Sequence, residues 1–215
     1  MKPTLTDEDR VRLDGLIAGV EKRTNAQVVL ALIRRSDSYA ELPWKAFALG
    51  SSLAALLIFF FDLQFYDWYP GLSTLAAVAG ILGNGVFLAL LTVLLPTFAR
   101  WFLSDHRAEV EVLQYAESLF LSRELFATTS RTGILILVSL FERKVVVLPD
   151  KGLSTLLPDE ARHGIIAEMT PLLKRRSVGG AFEAGLEKLS AVLGAGVAGS
   201  GRNELSDQLI EEKGV

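Results

Sequence analysis

The chain has 215 residues, 50% of them hydrophobic, a formal charge of -3 at pH 7 and a mean hydropathy of +0.36. That length holds one medium domain with an anchor, or two small domains, and the weak negative charge supplies no basic field, which argues against nucleic acid as a partner. There is no cysteine, which removes disulfides, thiolate nucleophiles and zinc-thiolate sites, and His106 and His163 are the two imidazoles.

The opening MKPTLTDEDRVRLDG is acidic and lacks the apolar core and small-residue cleavage site of a secretory signal, so none is expected. Thr6 followed by Asp7, Glu8 and Asp9 predicts a capped helix start with an acidic first turn. Leu13, Leu16, Ile17 and Val20 recur at helical spacing, and Asn25 ends the helix. Gln27 to Ile33, QVVLALI, has the length and β-branching of a buried strand. Its backbone needs a ladder that so short an N-terminal piece does not supply, so its partner strands are expected further along the chain.

The surplus of apolar residues lies between 46 and 99. Leu72 to Leu95 runs about 24 residues without a charge, and roughly 20 suffice to cross a bilayer. Ala46 to Phe61 gives about 16 before Asp62, extended by Leu63 and Phe65, with Lys45 placed to snorkel. These two spans, placed at about 44–65 and 72–99, are flanked by Trp44, Tyr66, Trp68, Tyr69 and Trp101, the amphipathic rings favoured at membrane borders. The intervening DLQFYDWYPG carries two Asp and no Lys or Arg, whereas the outer flanks carry Arg34, Arg35 and Lys45 on one side and Arg100 and Arg107 on the other. The positive-inside rule then places both termini in the cytoplasm. Ala46, Gly50 and Ala54, with Ala76 and Gly80, and Ala79 and Gly83, repeat small residues four apart; this fits a tight hairpin and equally fits the ordinary composition of membrane helices. Asn84 is placed to bond across to a neighbouring helix.

Beyond the spans a helix is predicted over Asp105–Ala127, with Val112, Leu113, Ala116, Leu119 and Phe120 on one face. Two apolar runs, Gly133–Leu140 and Lys144–Leu148, joined at Phe141-Glu142-Arg143-Lys144, predict an antiparallel hairpin. Helices follow over Asp159–Arg175 and Gly179–Leu193. The order predicts one α/β domain, formed by 1–40 and 104–194, interrupted by a transmembrane hairpin at 41–103 and followed by a flexible tail at 195–215. Gly194, Gly196 and Gly199 match G-x-G-x-x-G by letter alone, because no strand precedes them and no helix is predicted to open on them.

RTGILILVSLFERKVVVLPDKGL, followed by LPDEARHGIIAEMTPLLKRR and AFEAGLEKLSAVL, resembles the TPM domain family, and LTDEDRVRLDGLIAGVEKRTNAQVVLALI fits the same pattern. The chain is most similar to the bacterial branch in which two membrane spans interrupt the domain. The resemblance implies a three-layer α/β/α sandwich and a two-pass protein of the bacterial inner membrane. For some members it implies acid phosphatase activity or calcium binding through acidic residues at one edge of the sheet, and for others assembly of membrane complexes. It also implies LemA-like membrane proteins as partners.

Carried over by position, Asp150 before Gly152, and Glu142 with Arg143 at the strand corner, are the candidate catalytic residues. Arg131 and Thr132 stand before Gly133 where the soluble pattern has an acidic residue or Asn, and calcium would draw on Asp150, Glu142 and Glu117 or Glu124. Phosphate chemistry would use Asp150, a cation from Lys151 or Arg143, and the Gly152 turn. Equally, Glu142-Arg143 is a solvated corner and Asp150-Lys151-Gly152 an ordinary turn. The polar run Thr128 to Thr132 either receives an anion or simply enters a strand, and Lys174, Arg175 and Arg176 either face acidic lipid or end a solvated helix. Three functions compete: an assembly module that docks membrane proteins or self-associates, an acid-phosphatase-like hydrolase, and a small pore subunit.

Overall fold

The computed structural model describes residues 5–65, 74–194 and 209–214. Two compact units divide the chain, Met1–Ser36 with Glu109–Val215, and Asp37–Ala108.

The first unit is built on α1 (Asp7–Thr24), β1 (Gln27–Ile33), β2 (Gly133–Ser139), β3 (Lys144–Pro149), α6 (Asp159–Lys174), α7 (Val178–Leu193) and β4 (Leu209–Glu212), with most of α5 (Asp105–Ser122). The Thr6 hydroxyl accepts from the Asp9 amide at 3.1 Å while the Asp9 carboxylate accepts from the Thr6 amide, so the capped start expected from the sequence is a reciprocal capping box. Asn25 closes the helix in the left-handed region at φ 56, a conformation its short polar side chain tolerates.

The sheet runs β3-β2-β1-β4. β1 pairs in parallel with β2, Gln27 opposite Gly133 through Ile33 opposite Ser139, and β2 pairs antiparallel with β3. The strand that precedes the two apolar helices is thus completed by strands that follow them. Both central strands are buried along their whole length, which explains their unbroken apolar runs. Alternation sends Val28, Leu30, Leu32, Ile134, Ile136 and Val138 to one face, against Ile17 of α1, Met169 of α6 and Phe182 of α7. The opposite face carries Val29, Ala31, Ile33, Leu135 and Leu137 against Val112, Ala116, Leu119 and Phe120 of α5. Helices cover both faces, and the unit is a three-layer α/β/α sandwich.

Two expectations are corrected here. α5 stops at Ser122, not Ala127, because Glu124 turns left-handed at φ 53 and the Leu125 amide folds back onto the Phe120 carbonyl at 3.1 Å, burying Leu125. The tail is not wholly flexible: Leu209–Glu212 form β4, parallel to β1 with Leu30 opposite Leu209. Ile210 enters the α5-side core, and its burial offsets the cost of ordering so short a strand. The rest of the tail, including Gly196 and Gly199, lies outside the described residues.

In the second unit, Glu41–Gln64 of α2 (Glu41–Phe65) and Thr74–Leu94, the whole of α3, are long and apolar enough to cross a membrane. Leu57, Phe59, Leu63, Phe87 and Val93 point outward, more than half exposed. Contacts run in opposite directions along the pair: Asn84 Nδ2 donates to the Gly50 carbonyl at 2.8 Å, and Gly80 faces Ile58, so the helices are an antiparallel hairpin. The tight crossing is at Gly50 and Gly85, where a Cβ on Gly85 would strike Ser51 Oγ and the Phe47 ring. Gly83, which the small-residue pattern singled out, faces open space. The expected span to residue 99 breaks at Leu95, extended at φ -120 because Pro96 disfavours helix at the residue before it. Pro96–Ala99 then form a short α4. Lys45 Nζ donates to the Phe102 carbonyl at 3.3 Å, which brings exposed Trp44 and Trp101 to the same end of the hairpin. Tyr66, Trp68, Tyr69 and the loop between the spans lie outside the described residues.

Candidate functional site

The candidate residues separate into two corners at opposite ends of β3. Six residues of strand span about 20 Å, so Asp150 does not converge with Glu142 and Arg143.

Asp150 sits at the end where β1 and β2 begin. It is 4% exposed, its amide donates to the Gly133 carbonyl at 2.8 Å, and its Oδ1 accepts from the Lys151 amide at 2.7 Å, capping a 3-10 turn over Lys151–Leu153. Oδ2 lies 2.9 Å from Arg131 Nε without hydrogen-bond alignment, so it is compensated by charge alone. Arg131 is left-handed at φ 55, its guanidinium lies 5.6 Å from the centre of the Phe126 ring, and its carbonyl accepts from the Gly152 amide at 3.0 Å. A Cβ on Gly152 would meet the Ser130 and Arg131 carbonyl oxygens, so glycine is required there by close approach of two backbones. The Thr132 amide donates to Thr128 Oγ1 at 2.8 Å and the Arg131 amide to the Thr128 carbonyl at 3.1 Å. The polar run 128–132 and the Asp150-Gly152 turn therefore form one knot. Its amides at 131, 132, 150, 151 and 152 are all committed internally, which removes the donors a phosphate would have used.

Glu142 sits at the other end, 6% exposed. One carboxylate oxygen accepts from the Ser36 amide at 2.9 Å and the Ser36 hydroxyl at 2.7 Å, and the other accepts from the Ser139 hydroxyl. The Phe141 amide donates to the Arg34 carbonyl at 2.9 Å, and the Arg35 guanidinium lies 4.5 Å from the centre of the Phe141 ring. Arg143 occupies the left-handed turn position at φ 56 and is exposed. Glu142 is thus a buried staple between the end of β1 and the β2-β3 turn, not a solvated corner. Its burial comes from Ser36, which nothing local in the sequence reveals.

The donor set does not fit calcium. Both carboxylates are occupied by N-H, O-H or guanidinium groups, Glu117 and Glu124 are exposed, and among the described residues no three His, Asp or Glu side chains group as metal ligands. His106, His163, Lys174, Arg175 and Arg176 are exposed. An open depression of about 500 Å³ lined by Arg23, Glu187, Ser190, Ala191 and Gly194 involves none of the candidate residues.

Sequence reasoning missed a third cluster, around β4. Glu211 pairs with Arg10, and Glu212 pairs with Arg123 Nη2 at 2.8 Å and accepts from the Tyr115 hydroxyl at 2.9 Å. Burial, and then the bond to Glu212, pushes the Tyr115 phenol up from 10.0 to about 12. Only the mixture of apolar and acidic residues in Leu-Ile-Glu-Glu signals this cluster, and that mixture reads as helix as readily as strand.

A mixed four-stranded sheet between helical layers, with two membrane-length helices leaving it after β1, defines an α/β/α sandwich protein with an apolar helical hairpin. Residues 93–192 match the family model described as the TPM domain, and over that stretch the chain is similar to TPM domains. No curated protein sequence matches it. Among solved structures, the NMR structure of the BA42 protein from the psychrophilic bacterium Bizionia argentinensis sp. nov. is similar in fold. Its TM-score is 0.58 over 99% of this chain and 98% of that one, at 13% identity.

Proposed function

We propose that this TPM-like protein is a membrane-anchored binding module that assembles membrane-protein complexes, held by its two-pass hairpin in the bacterial inner membrane with both termini and the sandwich on the cytoplasmic face. Its partners on this reading are membrane lipids around the hairpin and other membrane proteins, LemA-like proteins or further copies of itself among them.

The observation that carries the reading is the separation of Asp150 from Glu142: Glu142 is held by Ser36 and Ser139, and Asp150 by the Lys151 amide and the charge of Arg131. Hydrolysis needs a base or nucleophile, a cation and free oxyanion donors within one reach, and these corners offer no such convergence. The outward Leu and Phe of the hairpin, with Trp44 and Trp101 at one end, support the anchor. Purification of the full chain from native membranes under mild detergent is expected to bring defined membrane proteins in fixed ratio. Recovery of the chain alone, at every detergent strength tried, rules the reading out.

The alternative, an acid-phosphatase-like hydrolase, draws on Asp150 with a cation from Lys151 or Arg143 and the Gly152 turn. Turnover of a generic phosphate ester that disappears in Asp150→Ala, with folding retained, would replace the assembly reading by this one.

A further inference from the structure

β4 differs from the other strands in how it is held. Its ladder to β1 covers four residue pairs, whereas β1 and β2 share seven. It follows the sequence AGVAGSGRNELSDQ, and among the described residues no strand pairs with its outer edge. Side chains alternate, so Leu209 and Glu211 face the α1 layer while Ile210 and Glu212 face α5. Each layer reads one apolar and one acidic side chain. On one face Leu209 packs on the core and Glu211 meets Arg10; on the other Ile210 is buried and Glu212 meets Arg123 and Tyr115. Backbone pairing to a sheet edge supplies affinity, and alternate side chains supply selectivity, which is the logic of peptide recognition by strand addition. The two arginines are partly exposed, so their pairs select a sequence more than they hold it.

Resting on the assembly reading, we propose that the seat beside β1, read by Arg10, Arg123 and Tyr115, receives an extended segment of a partner membrane protein with the order apolar, apolar, acidic, acidic. Leu209–Glu212 is the seat's intramolecular occupant and leaves when the partner docks. Charge complementarity fixes the class of partner. A tethered occupant competes at an effective concentration in the millimolar range, which a free peptide rarely matches. A partner confined to the same membrane gains a comparable advantage, so the tail screens out soluble acidic peptides.

The test uses the full chain in detergent with a protease site placed between residues 195 and 208. A fluorescent peptide, SDQLIEEKGV, residues 206–215 of the chain, is added before and after cutting. Exchange is expected only after cutting, with binding to the uncut chain weaker by about 100-fold or more. Peptides carrying Ile210→Asp, or Glu211→Lys with Glu212→Lys, are expected to fail. Equal binding before and after cutting, no exchange by a cut protein that keeps its helical circular dichroism, or unfolding on cutting each overturn the proposal. A tail-exchanged dimer of the uncut chain assigns the seat to a second copy and also overturns it. Co-purification from native membranes tests the assembly reading separately: exchange without any partner removes assembly and keeps the seat, whereas partners unaffected by tail exchange remove the seat and keep assembly.

Discussion

Glu142 accepts both the amide and the hydroxyl of Ser36, 106 residues away in sequence. This bond ties the last residue before the hairpin unit to the β2-β3 turn. Hydrogen bonds to a buried charge are worth about 1.5–3 kcal/mol, and Ser36 and Ser139 both depend on this one. Glu142→Ala is expected to lose about 3 kcal/mol and Glu142→Gln about 1 kcal/mol, because the amide still accepts from Ser36 but without charge. Thermal unfolding of the detergent-solubilised chain measures both. Unchanged melting in Glu142→Ala would mean the staple carries no stability.

How much of this was legible in the sequence follows from the range of each interaction. QVVLALI and GILILVS read as buried strands because both faces of the sheet are covered, and the capping box at Thr6 lies within four residues. The role of Glu142 was illegible: in one dimension it stands in a turn beside Arg143, and only the fold brings Ser36 to it. The same holds for β4, whose two glutamates look solvated until Arg10 of α1 and Arg123, just past the end of α5, arrive from far along the chain. Asp150 and Glu142 are named together by the family resemblance and as joint calcium ligands, but the extended strand between them sets them about 20 Å apart.

The crossing of the two apolar helices turns on Gly85. A Cβ there would lie 2.8 Å from a Phe47 ring carbon and collide with Ser51 Oγ, so Gly85→Val must push the helices apart, at about 1–3 kcal/mol. Gly83→Ala meets nothing and is expected to be silent. Asn84→Leu loses the bond to Gly50, worth about 0.6–2 kcal/mol inside a membrane. The chain has no cysteine, so one introduced on each helix gives a clean cross-linking readout of the crossing. Equal cross-linking in Gly85→Val and Gly83→Ala would contradict the observed packing.

At the other corner, Gly152→Ala places a methyl 2.6 Å from the Arg131 carbonyl oxygen, and both atoms belong to tightly bonded turns. The expected loss is about 1–3 kcal/mol, with protease cleavage appearing in 128–132 as the knot opens. Asp150→Asn keeps the cap on Lys151 and gives up the charge opposite Arg131, so a smaller loss of about 1 kcal/mol is expected. A ranking with Asp150→Asn the more damaging would show that the ion pair, not the backbone approach, holds the corner.

Tyr115 reports on the seating of β4. Burial first, and then the bond to Glu212, pushes its phenol from 10.0 up to about 12. An acid whose folded value is raised keeps its proton where the unfolded chain would lose it, so its stabilising contribution is complete below pH 10 and is lost as pH rises toward 12. Of the four tyrosines, Tyr115 is isolated by subtracting the phenolate absorbance of Tyr115→Phe. Glu212→Gln removes the carboxylate but not the burial, so the Tyr115 midpoint is expected to fall only part of the way toward 10.0. Cutting the tail and letting β4 leave removes the Glu212 carboxylate together with the cover of Ile210, and the midpoint is expected to fall further than in Glu212→Gln. A midpoint unmoved by either change would show that Glu212 and β4 do not shield Tyr115.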